Sequence, residues 1–184
     1  MLDNMRQYLS ALSIPAEQKR YAMNFCKKMS YLNELRDAAI QDVQDYICTG
    51  YGNVNSNICF IFKDKQCYDV VHALLQEMLE KFHINPWDVY VTFVDKSQKE
   101  YNKKYAYLAN EIHAINPGLL YVFDTNESMY QEIINAFQMR NIALPEKHFT
   151  VDVQKLASTD TDVRHELWNI LKYLINYKET EQEG

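Results

Sequence analysis

The sequence predicts an α/β protein: a three-layer α/β/α sandwich around a four-stranded, mainly parallel sheet. Three observations carry this. Runs of apolar, β-branched and aromatic residues begin near residues 58, 89 and 119, as in strands buried on both faces, with a weaker run near 148. Each gap between them holds one amphipathic segment, so strands alternate with single helices. Glycine and proline, four of each, are too scarce for the many turns of an all-β fold. Strand, helix, strand with short linkers is a βαβ crossover, which makes the strands parallel and places helices on both sheet faces.

The elements follow in order. Ser13-Ile14-Pro15 predicts a helix start, with serine as cap and proline in the first turn. One helix is expected from Ala16 to Met29, with Tyr21, Phe25 and Met29 at four-residue spacing, and a second from Tyr31 to Ile47. The glycine- and asparagine-rich stretch Gly50 to Asn55 reads as a turn. Ile58 to Phe62 is the first strand. Val70, Val71, Leu74, Leu75, Met78, Leu79 and Phe82 then mark a helix broken by Asn85-Pro86. Val89 to Val94 is the second strand, followed by a polar stretch from Asp95 to Lys104 without apolar periodicity. Tyr105, Leu108, Ile112 and Ile115 form a helix face that stops at Asn116-Pro117-Gly118. Leu119 to Phe123 is the third strand, and Tyr130, Ile133, Ile134 and Phe137 the next helix. His148 to Val153 is the fourth strand. Thr159 to Asp162 reads as a capping box opening a last helix with Val163, Leu167, Leu171 and Leu174 inward. A single domain over residues 1–184 is expected, with a helical N-terminal part (1–49), an α/β core (50–178) and an acidic tail (179–184).

A net charge of −6 excludes a wholly basic nucleic-acid binder but leaves room for a local basic patch. The four cysteines (Cys26, Cys48, Cys59, Cys67) show no CxxC spacing, and there is neither a signal peptide nor an apolar run of membrane length. A reduced, cytoplasmic protein without a membrane partner is expected. No HExxH, GxSxG, Walker loop or GxGxxG occurs, which disfavours zinc-protease and acyl-transfer chemistry and a nucleotide cofactor.

In a parallel sheet of this kind ligands bind beyond the carboxyl ends of the strands, where strand order reverses. Two sets of residues belong there. Lys63 and Lys65 follow the first strand, and Lys96, Lys99, Lys103 and Lys104 follow the second, interleaved with Tyr101, Tyr105 and Tyr107. Lysines with aromatics suit a phosphate backbone with stacked bases, with Tyr101 as the stacking platform. Asp64, Asp95, Asp124 and Asp152 also lie at strand ends. Converging carboxylates would hold magnesium for phosphoryl transfer, whereas isolated ones would cap helices and start turns.

Several runs carry a family resemblance. Gly52-Asn53-x-Asn55-x-x-Ile58-x-Phe60-Ile61 resembles the Gly-Asn-Pro-x-Ala-x-Ile-Met-Phe-Val segment that opens the sheet of bacterial iron–sulfur uracil-DNA glycosylases. Leu74-Leu75-x-x-Met78-Leu79 and Trp87-Asp88-Val89-Tyr90-Val91-Thr92 are similar to their Leu-Leu-x-x-Met-Leu and Asp-Asp-Val-Tyr-Ile-Thr, with Lys96 on the lysine after that strand. Ile115-Asn116-Pro117-x-Leu119-Leu120-Tyr121-Val122 resembles Val-Arg-Pro-Lys-Val-Ile-Val-Ala, and Arg164-x-Glu166-Leu167-Trp168-x-x-Leu171-Lys172 the family's last helix. The likeness runs in order over residues 50–175.

The family's chemistry is not carried over. Its first catalytic loop, Gly-Glu-Ala-Pro-Gly, corresponds to Phe62-Lys63-Asp64-Lys65-Gln66, and the segment bearing the ring that stacks on the flipped base is missing. The asparagine after the second strand falls on Phe93, and the His-Pro-Ser motif falls near Asp152-Val153-Gln154. Two cluster cysteines correspond to Ser97 and Lys104, so no iron–sulfur cluster or other cofactor is expected. The resemblance therefore implies a glycosylase fold without catalytic residues, binding DNA or a DNA-processing complex through the strand-end face. Two rival classes stand beside it: a protein-interaction module using the N-terminal helices, and a metal-dependent phosphoryl-transfer enzyme using the aspartates.

Overall fold

The structure, a computed structural model, describes residues 7, 9–42, 50–94, 101–124, 128–156 and 169 of the 184, and for 38–42 and 101–103 the backbone alone. The last expected helix apart from Asn169, the acidic tail and residues 43–47 lie outside the described residues.

Helix α1 (Ala16–Asp42) runs 27 residues without a break. The two separate helices expected here are corrected to one. Ser30 is neither glycine nor proline, and its hydroxyl bonds outward to Glu34 Oε1 (3.4 Å), so it does not compete with the backbone ladder. The helix start is also shifted: the Pro15 carbonyl accepts from Lys19 N (3.1 Å), which places Pro15 rather than Ser13 at the cap.

Five strands follow, β1 (Tyr51–Gly52), β2 (Ile58–Phe62), β3 (Val89–Phe93), β4 (Leu119–Asp124) and β5 (Lys147–Asp152), in the order β1-β3-β2-β4-β5. Between and after them lie α2 (Lys65–Lys81), a 3-10 turn (Pro86–Asp88), α3 (Tyr101–Ile115), α4 (Ser128–Met139) and α5 (Val153–Leu156). β2, β3, β4 and β5 are parallel, with Ile58 opposite both Val89 and Leu119. The expected four-stranded sheet is thus corrected to a mixed five-stranded one. Tyr51–Gly52, within the stretch read as a turn, adds antiparallel to β3. A two-residue strand carries no alternating pattern, and only the partner across space reveals it.

Both faces of the sheet are covered. Phe60, Phe62, Val91, Tyr121 and Phe123 face α2 and α5, meeting Val71, Leu75, Met78, Leu79 and Leu156. Cys59, Ile61, Tyr90, Leu120 and Val122 face α3 and α4, meeting Leu108, Ile112, Ile133 and Phe137, with Met29 and Leu32 of α1 packed against them. The Lys28 ammonium donates to the Ile115 carbonyl at the end of α3, where a cation complements the helix dipole. Partial burial there holds its pKa below the usual lysine range.

The helix ends have local causes. α2 stops before Asn85-Pro86, because Ile84 N bonds to Leu79 O (2.8 Å) and His83 N to Glu80 O (2.9 Å), with His83 left-handed at φ 54°. This is a Schellman stop carried by a histidine in place of glycine. α4 ends the same way at Asn141, φ 52°, through Ile142 N to Phe137 O (3.0 Å). Among the described residues no helix is long and apolar enough to cross a membrane.

Gly52 sits at φ +103°, and a Cβ there would collide with the Val89 carbonyl oxygen. Gly52→Ala is therefore expected to lower stability by at least about 2 kcal/mol, read as a lower urea midpoint. A change under a few tenths would show that β1 is not held against β3.

Candidate functional site

The carboxyl ends of β2, β3 and β4 meet at one edge of the sheet, and strand order reverses between β2 and β4. The connections there are short. Only Lys63 and Asp64 separate β2 from α2. Asp64 is the N-cap: its carboxyl accepts from Cys67 N at 2.8 Å. That leaves Lys63 and Lys65 exposed on either side of it.

The other strand-end aspartates have the same occupation. Asp124 is buried and accepts from Met129 N (2.9 Å) across the start of α4. Asp152 accepts from Gln154 N (2.9 Å) and Lys155 N (3.2 Å) as α5 begins. Asp95 lies outside the described residues. Three carboxyl groups are thus turned onto three different helix starts. Among the described residues no group of three or more His, Cys, Asp or Glu side chains comes together to hold a metal.

The expected lysine and tyrosine set divides. Lys96 and Lys99 lie outside the described residues, and Tyr101 and Lys103 are placed by backbone only, in the first turn of α3. Lys104 is half-buried, with its ammonium 5.6 Å from the centroid of the Tyr105 ring. Tyr105 and Tyr107 are buried. This agrees with the helical spacing that assigns Tyr105 to the core and removes both rings from an exposed stacking surface.

A different aromatic group occupies the strand ends. Phe62 stacks on Phe123 (centroids 4.4 Å) and meets Tyr68 edge-on (5.1 Å). Phe93 and Tyr51 lie 5.9 Å apart, Tyr51 and Tyr68 6.1 Å, and Tyr68 and His72 4.9 Å. The outcome is a continuous row from the core ring Phe93 through Tyr51 and Tyr68 to the exposed His72. Tyr51 stays 43% exposed. Its phenol pKa is pushed up by burial, by the Tyr68 hydroxyl and by the charge of Asp69, so the ring remains neutral through the physiological range. Tyr68 and His72, one helical turn apart at the start of α2, were open to detection in the sequence. Tyr51 was not, since only the β1–β3 pairing brings it here.

Behind this edge, Glu111 is 1% exposed. Its carboxyl accepts from Tyr90 OH (2.7 Å), Thr92 Oγ1 (2.8 Å) and Gly50 N (3.2 Å). The group ties α3 to β3 and to the residue leading into β1. A Cβ on Gly50 would collide with the Tyr90 ring, so the backbone there needs glycine. The sequence signal for Glu111 was an acid inside an apolar stripe, three residues after Leu108 and four before Ile115. Beside it, a cavity of about 280 Å³ opens between α1 and the sheet edge, lined by Phe25, Met29, Leu32, Tyr51, Tyr90 and Tyr107 among others.

Two outcomes follow. Glu111→Ala strands three donors and should cost about 3 kcal/mol by urea denaturation, while Glu111→Gln, which keeps one acceptor, should cost about 1. Equal effects would show that size and not hydrogen bonding matters there. Asp64→Ala should cost about 1 kcal/mol as a lost cap, and millimolar magnesium should leave the melting temperature unchanged. A magnesium-dependent rise abolished by that substitution would instead make Asp64 a ligand. Comparison of the chain with family models, curated proteins and solved structures gave no match, so the reading of this face rests on its own residues.

Proposed function

We propose that this chain is a non-catalytic member of the uracil-DNA glycosylase superfamily, with that family's three-layer arrangement, that binds DNA or a DNA-processing complex through its carboxyl strand-end face. The observation that carries the reading is the exposure of Lys63 and Lys65 at the end of β2, next to the strand-order reversal and beside the Tyr51–Tyr68–His72 row. Lysines supply phosphate contacts and neighbouring rings supply base contacts.

The loss of catalysis is supported by the same geometry. A glycosylase needs a loop at the end of its first strand long enough to hold a water and a flipped base. Here Lys63 and Asp64 alone make that connection, and the Asp64 carboxyl is turned onto Cys67 N. The place of the second catalytic motif is equally closed: β5 ends at Asp152, α5 begins at Val153, and Asp152 caps it. Neither connection has slack to address a base.

A second reading, a protein-interaction module without DNA binding, is favoured by α1, which leaves Tyr21, Phe25 and Tyr31 exposed at 51%, 39% and 41%.

The test is a titration of labelled uracil-containing and plain oligonucleotides, followed by fluorescence anisotropy at several salt concentrations and then by alkaline heating. Salt-sensitive binding is expected, with Lys63→Glu and Lys65→Glu each lowering the salt slope by about 1. No strand break at uracil is expected. Breaks would overturn the non-catalytic reading, and absence of binding at low salt would move the function to α1 and a protein partner.

A further inference from the structure

We infer that the ring row at the start of α2 is a stacking surface for unpaired bases, so that the face prefers single-stranded DNA over duplex. This rests on the DNA-binding reading above and goes beyond it in naming the strand state and the residues. Tyr51 and His72 are the exposed rings, and Tyr68 stands between them, edge-on to Tyr51 (83°) and tilted to His72 (59°). Phe62 and Phe93 back Tyr68 from the core at 5.1 and 6.0 Å. Rings fixed this way lose little conformational freedom when a ligand arrives. Duplex DNA hides its base faces inside the helix, whereas a single strand presents each in turn to an aromatic platform.

Charge points the same way. Among the described residues around the row, exposed Lys63 and Lys65 are matched by Asp64 and Asp69, of which Asp64 is engaged as a cap. Two described cations against two described anions make a poor duplex-binding stripe, because duplex affinity is dominated by the number of phosphates neutralised. Such a site gains from stacking, with one or two phosphates guided by the lysines.

The experiment compares a labelled oligothymidine with a mixed-sequence duplex of the same length, using the full chain and the variants Tyr51→Leu, Tyr51→Phe and His72→Ala. Tyr51→Leu keeps apolar bulk against Phe93, and His72 is on the surface, so at least the latter leaves the fold intact; urea midpoints check both. Single-strand affinity should fall about fivefold or more with Tyr51→Leu and with His72→Ala, stay unchanged with Tyr51→Phe, and duplex affinity should not move. Single-strand binding indifferent to both ring removals would overturn the stacking surface while leaving the DNA reading in place. An equal loss with Tyr51→Phe would assign the effect to the hydroxyl and overturn it too. An unaltered protein that binds neither oligonucleotide would overturn both.

Discussion

Every side chain of β2 is buried, so this strand must be hydrogen-bonded along both edges and covered on both faces. The remaining architecture satisfies that constraint. β3 and β4 pair with it in parallel over the same five residues, α2 covers one face, and α3 and α4 cover the other. Because β2 is central and its neighbours lie on opposite sides, the chain must cross over it after β3. That crossing is what makes the strand order reverse, and it fixes where a surface concavity and unpaired helix starts can occur.

The same constraint shapes the strand-end face. Helices that begin immediately after parallel strands need caps, and Asp64, Asp124 and Asp152 supply them. A carboxyl group turned back onto its own helix start is poorly disposed to converge with others on a metal. The short connections also leave the lysines on either side of Asp64 facing solvent. Among the described residues the face therefore presents the exposed ammonium groups of Lys63 and Lys65 beside the Tyr51–Tyr68–His72 rings.

Much of this was legible in the sequence. The apolar runs at Ile58, Val89 and Leu119 locate three parallel strands because buried strands are continuous in hydrophobicity, and the weaker run at His148 locates the partly exposed β5. The helix spacing that claimed Tyr105 for the core was correct, and the capping role of the aspartates was one of the two readings their positions allowed. What escaped depends on contacts between distant residues. β1 is two residues long and exists only against β3, and with it go the antiparallel edge and the placement of Tyr51. The continuity of α1 escaped because Met29-Ser30-Tyr31 changes the apolar phase without any residue that breaks a helix. Tyr101, the ring expected to stack because it sits among lysines, is placed by its backbone alone.

The most direct test of the account is lysine footprinting: acetylate the protein with and without a single-stranded oligonucleotide at low salt, and read each lysine by mass spectrometry. Lys63 and Lys65 stand at the carboxyl end of β2, whereas exposed Lys81 closes α2 and exposed Lys147 opens β5, both at the opposite end of the sheet. The account predicts protection of Lys63 and Lys65 with Lys81 and Lys147 unchanged. Protection of Lys81 or Lys147 without Lys63 and Lys65, or no protection anywhere, would contradict it.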